Sequence, residues 1–205
     1  MSDSGHFIVF EGGEGSGKST AAEAVAADLE AREIRVLLTR EPGGTVAGEK
    51  VRRLLHEQLV PWAETFAFLA ARAQLMDESI EPALGSGATV VCDRFEASTF
   101  AYQGWGRGLP LDALKAANAH ATKGRSPDLT IFLDLEPELG LRRKRGEREA
   151  VVTGAESLAF HRRVRDGYQA MFREARPGSW MMIDAALPAD LVAKTAVDAV
   201  RKLLA

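Results

Sequence analysis

Phe7-Ile8-Val9-Phe10-Glu11-Gly12-Gly13-Glu14-Gly15-Ser16-Gly17-Lys18-Ser19-Thr20 is the stretch that decides the fold of this chain. Its first four residues form an apolar run without in/out alternation, the pattern of a strand buried on both faces. From Gly12 to Ser19 the residues fit the spacing G-x-x-x-x-G-K-S/T. Glycine tolerates the turns that swing successive N–H groups inward, so the segment predicts a phosphate cradle at the positive end of a helix over Thr20 to Arg32. In that cradle Gly12, Gly13, Glu14, Gly15, Ser16, Gly17 and Thr20 surround the phosphates. Lys18 reaches the β- and γ-phosphates, and the Ser19 hydroxyl faces Mg²⁺.

Outward from this stretch the same signal repeats. Short apolar runs recur at Ile34 to Leu38, Thr89 to Cys92, Leu129 to Leu133 and Trp180 to Ile183, separated by segments of helical period. That alternation predicts an α/β fold, a five-stranded parallel sheet with helices on both faces. Leu187 to Ala205 carries Val192, Ala196, Val200 and Leu203 at the spacing of one helix face and closes the domain. With neither repeat nor linker, residues 1–205 read as one domain. The only shift in composition is Leu141 to Ala155, basic and then small and polar. The single cysteine, Cys92, falls in a buried strand and reads as packing.

A net charge of −3 argues against a nucleic-acid backbone or an anionic membrane as the main partner. The apolar runs are far shorter than a membrane span, and Met1 to His6 is too short and polar for a signal peptide, so the expected location is cytoplasmic.

In open parallel sheets ligands sit beyond the carboxyl ends of the strands, and those ends carry the chemistry here. After the first strand, Glu11 either orders the cradle or faces magnesium and substrate. After the second, Thr39-Arg40-Glu41-Pro42-Gly43-Gly44-Thr45 is either a plain surface turn or a strained one, open to a cis Glu41-Pro42 bond, that presents Arg40 to a phosphate. The third ends in Asp93-Arg94, either a structural ion pair or a magnesium carboxylate beside a phosphate-binding guanidinium. After the fourth, Arg142 to Arg148 places five cations within seven residues. Such a run is usually a solvated face. Here the variable cradle positions carry no cation, and phosphoryl transfer depends on positive charge at the transferring group, so a lid arginine is expected from Arg142, Arg143, Arg145 or Arg148.

The chain resembles thymidylate kinases from Phe7 to about Ala185. The motifs that carry the resemblance are the cradle, TREPGGT at 39 to 45, FLAARAQL at 68 to 75, DRFEASTFAYQG at 93 to 104, PDLTIFLDLEPELGLRR at 127 to 143, and Ile183-Asp184-Ala185. The resemblance implies a P-loop NTPase fold of the nucleoside monophosphate kinase kind, with a lid at about 141–155. It implies ATP-dependent phosphorylation of dTMP to dTDP in dTTP synthesis, with Mg²⁺ as cofactor and a homodimeric assembly. Lys18, Asp93, Arg94 and lid arginines among Arg142, Arg145 and Arg148 would be catalytic, with Ser19 and Asp93 at the metal.

For the acceptor, the family implies that Phe68 stacks on thymine and that Arg72, one turn later on the same helix face, reaches a base carbonyl. Thr99 and Gln103 would complete the base contacts, Tyr102 would crowd the sugar 2′ position, and Arg40, Arg52 and Arg94 would hold the acceptor phosphate near Glu11. Two positions depart from the family pattern. Phe95 stands where tyrosine is common, and Val151-Val152-Thr153-Gly154 replaces an arginine-bearing lid segment. The rival readings are a kinase for another small acceptor, such as a deoxynucleoside, and a non-catalytic ATP-binding switch. A base-reading pair, Arg72 and Gln103, and a three-arginine phosphate site speak against both.

Overall fold

A computed structural model of the chain describes residues 5–145 and 157–205, and of Arg145 its backbone alone. Arg148 and the segment Val151 to Gly154 lie outside the described residues, as does most of the lid expected at about 141–155. Five parallel strands, β1 (Phe7–Gly12), β2 (Val36–Arg40), β3 (Thr89–Asp93), β4 (Leu129–Asp134) and β5 (Trp180–Asp184), form one sheet in the order β2-β3-β1-β4-β5. Every expected strand is present. β2 begins two residues later than its apolar run, because Ile34 still donates to Leu29 O in the turn that ends the preceding helix.

The unalternating strand pattern is explained by the packing. From β1, Ile8 and Phe10 enter a cluster with Ala22, Val25 and Leu29 of α1 (Lys18–Ala31) and Val192, Ala196 and Val200 of α9 (Ala189–Leu203). Phe7 and Val9 enter the opposite cluster, with Leu75, Met76 and Ile80. Burying each such side chain contributes about 1.5–3 kcal/mol, so a polar residue at any position from Phe7 to Phe10 would be costly on either face. Phe132 of β4 extends the second face into a cluster with Phe160, Val164 and Tyr168 of α8 (Leu158–Glu174).

The remaining helices position the site. α2 (Val46–Leu54) starts at a cap in which Thr45 accepts from Gly48 N at 2.9 Å. α3 (Pro61–Leu75) continues through a π-helical stretch, Met76–Ile80, into α4 (Glu81–Gly85). α5 (Glu96–Thr99) likewise runs into a π-helical stretch, Phe100–Gly106. Such wide turns are common near functional sites, and the second of them holds Tyr102 and Gln103. α6 (Leu111–Thr122) packs beside α3, and α7 (Pro137–Arg145) follows β4. Among the described residues no helix is long and apolar enough to cross a membrane.

Candidate active site

A cleft of about 930 Å³ opens at the carboxyl ends of the strands. Since β1 lies between β3 and β4, the loop after β1, the Asp93 end of β3 and helix α7 converge on it. The loop from Glu14 to Thr20 forms one wall. Gly12, at φ 147°, lies so close to β4 that a Cβ would stand 2.5 Å from Leu133 O, so only glycine fits there. Lys18 Nζ folds back on the loop, donating to Gly13 O at 2.7 Å, Gly12 O at 3.1 Å and Ser16 Oγ at 3.2 Å. Burial, helped by the nearby Arg94 guanidinium, lowers its amine to about 8 against the pull of Asp93, Glu14 and Glu11.

Beside the loop, Asp93 Oδ2 accepts from Ser19 Oγ at 2.5 Å, while the buried Asp93 Oδ1 has no hydrogen-bond partner. A buried carboxylate oxygen left open in this way suits a hard cation. Among the described residues no three His, Cys, Asp or Glu side chains converge as a metal cage. The Ser19 hydroxyl and the open Asp93 oxygen are donors of the kind Mg²⁺ takes, an ion that keeps most of its oxygen ligands from phosphate and water.

Arg94 adopts φ 72°, an uncommon conformation for a residue with a side chain, and its guanidinium donates to Gly12 O at 3.1 Å while lying 5.3 Å from the Tyr102 ring centre. Burial pushes the Tyr102 hydroxyl up to about 12 against the pull of Arg94, so it stays protonated.

Glu11 lies inside the fold. It is fully buried and does not line the cleft; its carboxylate accepts from Phe95 N at 2.9 Å, Ser98 N at 3.0 Å, Ser98 Oγ at 2.7 Å and Tyr168 Oη at 2.9 Å. Its four bonds hold the start of α5 and Tyr168 of α8, and none of them reaches the cradle.

Arg72 is 1% exposed, and its N–H groups are all engaged within the protein. Nε and Nη2 clasp Glu41 at 2.8 and 2.6 Å, Nη1 donates to Thr99 Oγ1 at 2.9 Å and Asn118 Oδ1 at 2.7 Å, and Nη2 also reaches Phe95 O at 2.9 Å. A base carbonyl above Arg72 would share an N–H already engaged within the protein. Thr99 accepts from Arg72 with one lone pair, which leaves its hydroxyl a second lone pair and the O–H. Asn118 passes the network on to Glu96 Oε2 at 2.7 Å. Burial raises the Glu41 and Glu96 carboxyls above the usual range, with Arg72 pulling both the other way.

Glu64, Phe68 and Arg72 all line the cleft from α3. Gln103 is 2% exposed and donates from Nε2 to Glu64 Oε1 at 2.6 Å, and Arg107 holds Glu64 Oε2 at 2.8 Å. Sequence reasoning missed Glu64 and Arg107. The signal for Glu64 was its place one turn before Phe68 on the face that includes Arg72.

Arg40 and Arg52 line the cleft too, Arg40 paired with Glu49 at 3.6 Å and Arg52 donating to Pro42 O at 3.4 Å. The Glu41-Pro42 bond is cis. From α7, Arg143 donates to Ala185 O at 2.7 Å, Lys144 pairs with Glu14, and Arg142 is exposed. Among the described residues of the basic run, Lys144 makes an ion pair with the cradle. Burial raises the Glu14 carboxyl, but Arg94 and the hydrogen-bonded Lys144 outweigh it and hold the group down at about 2.

The family model described as thymidylate kinase matches residues 10–196. The chain is 46% identical to a protein named thymidylate kinase from Solidesulfovibrio magneticus, an alignment covering 97% of this chain and all of the relative. Proteins of the same name from Dehalococcoides mccartyi and Trichlorobacter lovleyi are 44% and 45% identical, each over 97% of this chain and covering 97% and 98% of the relative.

Proposed function

Because the chain belongs to the thymidylate kinase family, it transfers the γ-phosphoryl group of ATP to dTMP, giving dTDP, and we propose how its residues divide that work. The loop from Gly12 to Thr20 wraps the ATP phosphates, and Lys18 leaves its loop carbonyls to follow the transferring oxygens. Ser19 and Asp93 hold Mg²⁺, which when bound neutralises phosphate charge. The acceptor phosphate is already anionic, so no general base is needed; the protein's task is to align and neutralise two negatively charged reactants. Arg94, Arg40 and Arg52 hold the dTMP phosphate, Phe68 stacks on the thymine, and Tyr102 crowds the sugar 2′ position. The segment at 141–155 acts as a lid on this single domain. Positive charge at the transition state falls to its basic run, of which Arg142 and Arg143 are within the described residues.

One observation carries this reading. A single cleft is lined both by the phosphate loop and by an aromatic ring, Phe68, and a buried amide, Gln103. A switch needs no such ring and amide. A coupled ADP-release assay over a panel of nucleoside monophosphates tests it: dTMP should exceed dUMP by about 10–200-fold in kcat/KM, the worth of one methyl, and exceed dCMP by more, because cytosine leaves buried polar groups mismatched. Equal kcat/KM for dTMP and dCMP would remove the thymine assignment.

Two copies of the chain pair through α2 and α3, and the enzyme works in the cytoplasm. The exposed Val46, Leu54, Val60 and Phe66, 78%, 48%, 70% and 59% accessible, support that surface as an interface. Light scattering should give twice the chain mass, and Phe66→Asp should halve it; a monomeric parent would exclude the pairing.

A further inference from the structure

The orientation of the Gln103 amide is set by a residue that need not touch the nucleotide. Glu64, ionised, is an acceptor only, and at 2.6 Å it takes the Nε2 end of Gln103. The reversed amide would set the Gln103 carbonyl oxygen against a carboxylate oxygen, a repulsive contact in a site where both side chains are buried. The carboxylate is itself fixed. Arg107 Nη2 holds its other oxygen at 2.8 Å, and the Arg107 guanidinium lies 5.1 Å from the centre of the Phe160 ring, itself part of the cleft wall. Arg107 in turn donates its backbone N–H to Tyr102 O at 2.9 Å, which ties the clamp to the π-helical stretch holding Gln103.

We infer that Glu64 is a specificity-determining positioning residue: by fixing the Nε2 end of Gln103, it leaves the amide carbonyl as an acceptor for the imide N3–H of the acceptor base. The inference rests on the dTMP reading above. Thymine and uracil carry an N–H at position 3, whereas cytosine carries a lone pair there, so a locked carbonyl attracts the first two and repels the third. Arg72 does not set this polarity, because its donors are engaged elsewhere, and the Thr99 hydroxyl, which can still give or accept, favours neither a donor nor an acceptor at position 3. The selection among pyrimidines therefore passes through one amide held by one carboxylate.

The test is Glu64→Gln, which replaces the acceptor-only carboxylate with an amide that accepts either end of Gln103. kcat/KM for dTMP should fall and that for dCMP should rise, closing their ratio by about tenfold or more. The dTMP:dUMP ratio and the KM for ATP should not move, since the 5-methyl and the phosphate loop are read elsewhere. In a Gln103→Ala background the same substitution should change the dTMP:dCMP ratio no further. The inference is overturned by an unchanged dTMP:dCMP ratio in Glu64→Gln, by a parallel fall in the dTMP:dUMP ratio, or by an equal effect without Gln103. If Glu64→Gln does not fold, Glu64→Asp, which draws the acceptor back by one methylene, should close the ratio in part, and an unchanged ratio there overturns the inference equally. Failure of the underlying reading is separate: it appears in the parent enzyme as the absence of any preference for dTMP.

Discussion

Lys18→Ala should abolish detectable turnover in a protein that stays folded. The ammonium group is the cation at the centre of the loop, and its bonds to Gly12 O, Gly13 O and Ser16 Oγ are local, so losing them leaves both hydrophobic faces of the sheet intact. What disappears is positive charge preorganised where phosphoryl charge moves, an interaction whose removal commonly costs about 10²–10³ in rate and more when the group touches the transferring oxygens. A folded variant with a tenth of the parent rate would place the donor elsewhere. The same residue sets a pH dependence. With its amine at about 8 in the free protein, Lys18 is charged below that pH and loses its proton above it. Bound polyphosphate favours the charged form, so ATP affinity should be flat below that value and fall by about tenfold per unit above it, with proton uptake on binding. Titration calorimetry in buffers of different ionisation enthalpy reads that uptake, and Lys18→Ala should lack it.

Glu41→Ala should cost about 3–5 kcal/mol of stability, because it leaves the Arg72 guanidinium charged, buried and without its carboxylate. The pair lies 2.6 Å apart with side chains 1% and 4% exposed, and no water-facing position is open to Arg72 without dismantling its bonds to Thr99, Asn118 and Phe95 O. Glu81→Ala serves as the control. Its ion pair with Arg125 is 30% and 44% exposed on the two sides, and loss of such a pair costs about 0–1 kcal/mol. Urea unfolding of both variants makes the comparison. Equal, small losses would mean that Arg72 is solvated in solution.

The two variants divide along the line between local and long-range information. Lys18 stood in a contiguous segment whose backbone geometry follows from glycine spacing. Likewise Phe7 to Phe10, Thr89 to Cys92 and the 192, 196, 200 stripe reported their own burial, because a strand packed on both faces cannot alternate and a helix packed on one face must repeat. The cleft's walls were legible for a similar reason: Arg40, Asp93 and the cradle all follow strand ends, and in a parallel sheet those ends lie together.

What tertiary structure alone decided is which side chain meets which. Periodicity places Arg72 on a helix face but does not name Glu41, 31 residues away, or Asn118, 46 away, as its partners. Glu11 follows the cradle's strand in the sequence, which does not show that Tyr168, 157 residues later, meets its carboxylate from α8. Glu64 and Gln103 are 39 residues apart, brought together when α3 packs near a π-helical stretch that no residue pattern announced. By itself the sequence determined the sheet, the phosphate loop and the family of the chain, because each depends on residues that are neighbours along it. The polarity of the base-reading floor depends on hydrogen-bond partners chosen across the fold, where the nearest acceptor is a matter of distance and dielectric, and only packing supplies those.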